Sequence, residues 1–87
     1  MRIRAFQTYR TDNSPGIRYV RGDVQLVDLD SFVCATVYRT SARLTDAGTD
    51  DDIVKVYFSK GGAQFSWLTT KTCLQTLLKT SLAPSRS

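Results

Sequence analysis

The acidic residues constrain the fold of this chain most, because all eight are aspartate and none is glutamate. Aspartate competes with the helical backbone for hydrogen bonds, so it is typical of turns and helix caps. The chain also contains eleven threonines and seven valines, and β-branched residues fit a pleated sheet better than a helix interior. We therefore predict mostly β-structure, with the aspartates marking loops.

The length sets a second limit, because 87 residues suffice for one compact domain and little else. Apolar residues make up 41% of the chain, which is ordinary for a globular protein and argues against disorder throughout. No run of 18 apolar residues is present, so the sequence predicts no membrane span, and it shows no secretory signal. We expect one globular domain over residues 1–82, a frayed tail over residues 83–87, a cytoplasmic location and no membrane partner.

Alternating polar and apolar residues predict about five strands. The first covers residues 2–10, with Arg2, Arg4 and Arg10 on one face and with Ile3, Ala5 and Tyr9 on the other. The later ones cover residues 17–29, bent at Arg21-Gly22-Asp23, and residues 32–40, 53–60 and 63–68, with turns at 11–16 and at Gly61-Gly62. Residues 32–40 are almost continuously apolar, which predicts a central strand covered on both faces.

The period of the apolar residues changes near the C-terminus. Cys73, Leu74, Leu77, Leu78 and Leu82 recur at helical spacing, and Thr69 or Thr70 can serve as the N-cap. The sequence therefore predicts an α+β fold, in which a single antiparallel β-sheet of about five strands carries one C-terminal amphipathic helix packed on one face.

The absence of histidine excludes most familiar catalytic chemistry. Histidine is the usual general base near neutral pH and a common zinc ligand, so histidine-dependent triads and zinc sites cannot be built from this chain alone. Cys34 and Cys73 are too few and too far apart for a four-cysteine metal site and are interpreted as two buried thiols, with a disulfide between them left open. We predict a non-enzymatic protein without catalytic residues, cofactor or metal.

An aspartate-rich segment lies between the third and fourth predicted strands. Its acidic residues are Asp46, Asp50, Asp51 and Asp52. We interpret residues 46–52 as a solvated hairpin loop, because aspartate and glycine are standard turn residues. A calcium site and a contact with a basic partner surface remain open, although the ligand pattern and terminal glutamate of an EF-hand are missing.

Basic residues give the strongest positive signal, since the net charge is +4 and is distributed unevenly. The candidate binding residues, for a protein partner or for nucleic acid, are Arg2, Arg4, Arg10, Arg18, Arg21, Lys55 and Lys60. Basic groups interleaved with aromatic ones can follow a phosphate backbone and stack on unpaired bases; the aromatic candidates are Phe6, Tyr9, Tyr19, Tyr38, Tyr57 and Trp67. The alternative is that the aromatic residues face the core while arginine keeps the protein soluble and protects an edge strand.

The order of strands followed by one helix is similar in layout to the Pur-like group of single-stranded nucleic-acid binding folds. The similarity lies in residues 60–68, Lys-Gly-Gly-Ala-Gln-Phe-Ser-Trp-Leu, and in the threonine-led helix after them. It implies a curved sheet that binds and a helix that dimerises. The similarity covers about a third of the chain and its motif is loose, so no family is assigned.

Two binding functions follow from these patterns. The first is a small inhibitor of the kind encoded by phages or mobile elements, which docks on a host protein or nucleoprotein complex and needs only a complementary surface. The alternative is a module that binds single-stranded DNA or RNA through a basic sheet face. A homodimer through the leucine stripe of the helix also remains open.

Overall fold

The computed structural model describes residues 2–12, 17–45 and 47–82, without the side chains of residues 80–82. Its elements are β1 (Ile3–Asp12), β2 (Arg18–Asp28), a short 3-10 turn (Leu29–Ser31), β3 (Phe32–Leu44), β4 (Thr49–Lys60), β5 (Ala63–Thr70) and α1 (Lys71–Leu82). This order confirms the predicted α+β class. The expected tail over 83–87, the side chain of Leu82 and most of the turn over 11–16 lie outside the described residues.

The sheet closes into a barrel in the order β1-β2-β3-β4-β5. It has two halves, β1–β2 and β3–β5, and these halves pair with each other at one end only. β1 and β2 form an antiparallel hairpin, and β3, β4 and β5 form an antiparallel meander. Among the described residues, the halves are joined by one pair on each side, Tyr9↔Leu68 and the parallel bridge Tyr19↔Leu44. We call this the closed end, and the end near Ile3 and Lys60 the open end.

Two hydrophobic clusters form the core, and each contains residues of both halves. At the closed end Tyr19, Ala42, Leu44 and Ile53 are buried together. The larger cluster consists of Phe6, Val27, Leu29, Val54, Val56, Phe58, Leu74 and Leu77. Phe58 is at its centre, with edge-on contacts to the rings of Phe6 and Trp67 at centroid distances of 6.3 and 5.5 Å.

Of the two threonines predicted as candidates for the N-cap of α1, Thr70 is the one that caps the helix. The Thr70 hydroxyl accepts a hydrogen bond from the backbone N–H of Cys73 (3.1 Å), which is the N-cap geometry. The Thr69 hydroxyl donates to the carbonyl of Gln7 (2.8 Å) and joins β5 to β1. The helix then buries Leu74 and Leu77 in the larger cluster. At 12 residues α1 is too short to cross a membrane, and it is the only α-helix in the described part of the chain.

The predicted burial of residues 32–40 is wrong. β3 is mostly exposed there, whereas Ile53 and Val56 of β4 are fully buried. The reason is that β4 has a paired strand on each side and core clusters on both faces, while β3 pairs along its length with β4 alone. The predicted pair of buried thiols is also wrong, because Cys34 lies on β3 and is exposed, and Cys73 is half-buried; both are free.

The predicted faces of β1 are likewise partly wrong. Phe6 and Thr8 are buried and share the alternation of Arg4, whereas Ile3 is exposed. Phe6 points inward because it makes apolar contact with Phe58. Arg4 and Arg10, which are on the same face of β1 as Phe6, lie toward the ends of the strand. The predicted bend in β2 is confirmed: between Gln7↔Val24 and Tyr9↔Arg21 one residue is inserted in β2, a β-bulge.

Candidate functional site

The predicted basic residues are spread over four regions instead of sharing one face. Arg2 and Lys60 lie near the open end, Arg4 lies beside α1, Lys55 lies on β4, and Arg10, Arg18 and Arg21 lie toward the closed end of the β1–β2 hairpin. Arg18 is directly across from Asp12, and Arg21 is across from Tyr9. The positive charge is therefore divided among several surfaces.

At the open end the basic charges are compensated by aspartates. The Nε of Arg2 is 2.8 Å from Oδ1 of Asp30, and the Nζ of Lys60 is 3.5 Å from Oδ2 of Asp28. Hydrogen bonds from the backbone N–H groups of Asp30 (3.0 Å) and Arg2 (3.2 Å) lower the pKa of Asp28 below its ordinary value. These carboxylates hold the turn between β2 and β3 and reduce the positive potential there.

The acidic residues of the β3–β4 hairpin have partners within the hairpin. β4 begins at Thr49, so Asp50, Asp51 and Asp52 belong to a strand, and their assignment to a loop is corrected. Asp50 is 3.5 Å from Arg43, and Asp52 accepts a hydrogen bond from the N–H of Ser41 (2.9 Å). Asp46 lies outside the described residues. Over 2–12, 17–45 and 47–82, no group of three metal-ligating side chains is found.

The predicted aromatic residues do not form a continuous stacking platform. Phe6 and Tyr19 are buried in the two clusters. Burial raises the pKa of the half-buried Tyr9, the neighbouring Cys73 adds to this rise, and a hydrogen bond with Arg21 opposes it. On the outer side of β4, the Nζ of Lys55 lies 5.7 Å from the ring centroid of Tyr57. This contact is a single basic–aromatic pair.

A cleft of about 340 Å³ between β1 and α1 brings together Arg4, Thr72, Cys73 and Thr76. Arg4 donates a hydrogen bond to the carbonyl of Ile3 (2.9 Å). The cleft thus places the half-buried thiol of Cys73 close to the guanidinium of Arg4.

An exposed apolar surface on the β1–β2 hairpin was not predicted. Ala5 faces Leu26 across the ladder, and opposed residues of an antiparallel pair share one face of the sheet. Leu26 is 73% exposed and Val24 is 61% exposed, and Ile3 is exposed beside them. The buried Phe6 and Val27 occupy the opposite face. The outer side of this hairpin thus carries four apolar residues, Ile3, Ala5, Val24 and Leu26, beside the polar Gln7 and Asp28.

This surface continues into a groove at the open end. Ile3 and Leu26 form one wall of the groove, which has a volume of about 290 Å³, and Phe58, Phe65 and Trp67 lie on the other. The rings of Phe65 and Trp67 are stacked with centroids 6.1 Å apart. We define the open-end surface as Ile3, Ala5, Val24, Leu26, Phe65 and Trp67. Alternation did not reveal it, because it separated the two faces of β1 without showing which one meets solvent, and it assigned no faces to the bent β2.

Comparisons with known proteins provide no functional guide. A scan against protein-family models gives no match, and neither the curated proteins nor the solved structures contain a significant match to this chain. The functional inference therefore depends on the surfaces described above.

Proposed function

We propose that this chain is a non-enzymatic binding protein that docks on a partner protein through the open-end surface. The observation that carries the proposal is the exposure of Leu26 and Val24 beside an aromatic-lined groove. Contiguous exposed apolar residues next to a pocket are typical of protein-binding sites, where a few buried anchors supply most of the affinity.

The size of the molecule is compatible with this role. A standard protein interface covers about 800 Å² per partner, which is about one seventh of the 5409 Å² of exposed surface. Occupying a partner's surface requires no catalytic group. We therefore propose an inhibitor-type activity by steric occupancy, of the kind that phages and mobile elements encode, in the cytoplasm, where free thiols such as Cys34 and Cys73 stay reduced.

The distribution of charge supports a protein partner over single-stranded nucleic acid. A nucleic-acid surface requires basic groups that follow a phosphate backbone together. Here Arg2 and Lys60 are paired with carboxylates, and Lys55 and Arg4 lie on other surfaces. The remaining group, Arg10, Arg18 and Arg21, lies at the closed end of one hairpin, with Asp12 directly across from Arg18. The apolar residues, by contrast, are contiguous.

The proposal is tested in two steps. Affinity capture from the source cells with this chain as bait identifies the partner protein, and titration of the purified partner with this chain then measures the affinity. We expect Leu26→Asp to weaken binding more than about tenfold, because it places a charge in the desolvated centre of the interface. Arg10→Ala is the matched control and should leave the affinity unchanged.

A parallel titration with single-stranded and duplex oligonucleotides at two salt concentrations examines the alternative. We expect no strongly salt-dependent binding. Steeply salt-dependent binding that is lost in an Arg10, Arg18 and Arg21 triple alanine variant, while Leu26→Asp has no effect, overturns the proposal and supports nucleic acid.

A further inference from the structure

The cleft between β1 and α1 is lined on one side by the edge of β1 that faces away from β2. The carbonyl of Arg2 accepts the backbone N–H of Leu29 (2.9 Å) on the β2 side. The carbonyl of Gln7 accepts the Thr69 hydroxyl (2.8 Å) on the opposite side, where α1 begins. Since backbone groups alternate in direction along an antiparallel strand, the N–H of Ala5 also points to this side. Ala5 therefore offers a backbone donor to the cleft that it lines.

Arg4 brings a positive charge into the same cleft. Its half-buried guanidinium donates a hydrogen bond to the carbonyl of Ile3 (2.9 Å). Within residues 2–12, 17–45 and 47–82 it has no ion pair, in contrast to Arg2 and Lys60 at the open end, and no carboxylate of these residues lines the cleft. A guanidinium carries several N–H donors, so those of Arg4 are left for a molecule in the cleft.

The remaining walls of the cleft are largely apolar. Phe6 and Leu77, which are buried members of the larger cluster, form part of its lining, and Thr72 and Thr76 line it on the α1 side. Its volume of about 340 Å³ lies at the lower end of the range of small-molecule sites. One cation beside apolar walls suits a molecule with one negative charge and an apolar chain.

We propose that this cleft binds a small monocarboxylate with an apolar chain. The carboxylate pairs with the guanidinium of Arg4, whose parallel N–H groups match its oxygens, and the N–H of Ala5 is a further donor. The chain lies against Phe6 and Leu77, where loss of apolar surface from water stabilises it. Because α1 already covers this edge of β1, the occupant is a small molecule and not an added strand. The site does not depend on docking at the open-end surface.

Protection of the Cys73 thiol from alkylation tests occupancy, because Cys73 lines the cleft whereas Cys34 is exposed on β3. Octanoate is the probe, and mass spectrometry follows the rate of iodoacetamide labelling in a Cys34→Ser background. We expect octanoate to slow the labelling of Cys73 in a saturable manner. In the matched Cys73→Ser background, octanoate should not change the labelling of Cys34, which excludes a general effect of the probe.

Two comparisons test the role of the carboxylate. Octanol has the same chain without the charge, and acetate has the charge without the chain, so both should protect Cys73 much less than octanoate does. Arg4→Met removes the charge and should weaken the apparent octanoate affinity more than about tenfold. Arg10→Met, on the same face of β1 but outside the lining of the cleft, is the control and should not change that affinity. Each variant is compared with and without octanoate, so changes in intrinsic thiol reactivity cancel.

Circular dichroism establishes that each variant is folded. The comparison of octanoate with octanol uses the unaltered cleft, so it decides the question even if Arg4→Met does not fold. Unchanged labelling of Cys73 in octanoate overturns the proposal, and so does equal protection by octanol or an unchanged affinity in a folded Arg4→Met variant. Equal protection by inorganic phosphate also overturns it, because the cleft would then bind simple anions without reading the chain.

Discussion

β3 and β4 are adjacent strands of one meander, rich in similar residues, and yet their burial is opposite. Val37 and Val54 are directly across from each other, but Val37 is 62% exposed and Val54 is 4% exposed. The difference arises from the neighbours: β4 is flanked by β3 and β5 and is covered by α1, whereas β3 has a paired strand on one side. Apolar content thus predicts a strand, and position in the sheet decides whether that strand is buried.

Replacing each of the two opposed valines by lysine should give the largest difference in stability between β3 and β4. Val54→Lys places an ammonium group in the larger cluster without a partner, and we expect it to cost more than about 4 kcal/mol of unfolding free energy. Val37→Lys should change that free energy by less than about 0.5 kcal/mol in dilute solution, because its side chain stays in water. Urea unfolding followed by Trp67 fluorescence measures both; similar losses would contradict the burial of β4 relative to β3.

The other face of β4 should be nearly as sensitive. Ile53 is fully buried in the closed-end cluster with Tyr19, Ala42 and Leu44. Ile53→Ala removes three buried carbons and leaves a cavity, so we expect a loss of about 2–5 kcal/mol by urea unfolding. Val33→Ala on β3 is the control and should lose less than about 0.5 kcal/mol in dilute solution. If the two variants match, β4 is not buried on both faces.

Removing the N-cap of α1, the helix that covers β4, should lower the free energy of unfolding by a smaller amount. Thr70→Ala deletes the hydroxyl that accepts the N–H of Cys73, and we expect a loss of about 1 kcal/mol in thermal unfolding. Thr72→Ala, in the exposed first turn of the same helix, is the control and should have little effect. An equal loss in both variants would place the stabilisation in the helix interior and not in its cap.

The smallest effect on stability is expected at the turn between β2 and β3. This effect depends on pH. Hydrogen bonds from Asp30 and Arg2 lower the pKa of Asp28 from 3.8, and Arg2 lowers that of Asp30. Because these values are lower in the folded than in the unfolded chain, the stabilisation is present above the ordinary pKa and is lost as the pH falls through the folded values.

Urea midpoints between about pH 6 and about pH 3 measure this effect, which reflects proton uptake on unfolding. Asp28→Asn should make the acid side of the profile shallower than that of the wild type. An unchanged slope in that variant would show that the carboxylate of Asp28 does not support the turn.

Much of the fold could be predicted from the sequence because it depends on local patterns. The bend at Arg21-Gly22-Asp23, the turn at Gly61-Gly62 and the cap of α1 each arise from residues close together in the chain, and the structure contains all three. Burial depends on which strands meet, which is a long-range property. The exposed β3 and the inward Phe6 were therefore beyond the pattern of alternation.

The candidate sites were harder to predict than the fold. The sequence shows where basic residues are, but not that Arg2 and Lys60 are paired with Asp30 and Asp28. It also does not show which side of β2 meets solvent. The exposure of Leu26, the main evidence for a docking surface, is therefore visible only in the structure.

The closed end also has a consequence for the motions of the molecule. Since Tyr9↔Leu68 and Tyr19↔Leu44 are the pairs that join the two halves in the described sheet, the halves are held together mainly by side chains of the two clusters, such as Phe6 and Tyr19. Amide hydrogens at this junction should therefore exchange with solvent only when the clusters open, together with those inside the ladders. The closed sheet should behave as one cooperative unit whose halves are joined by the core.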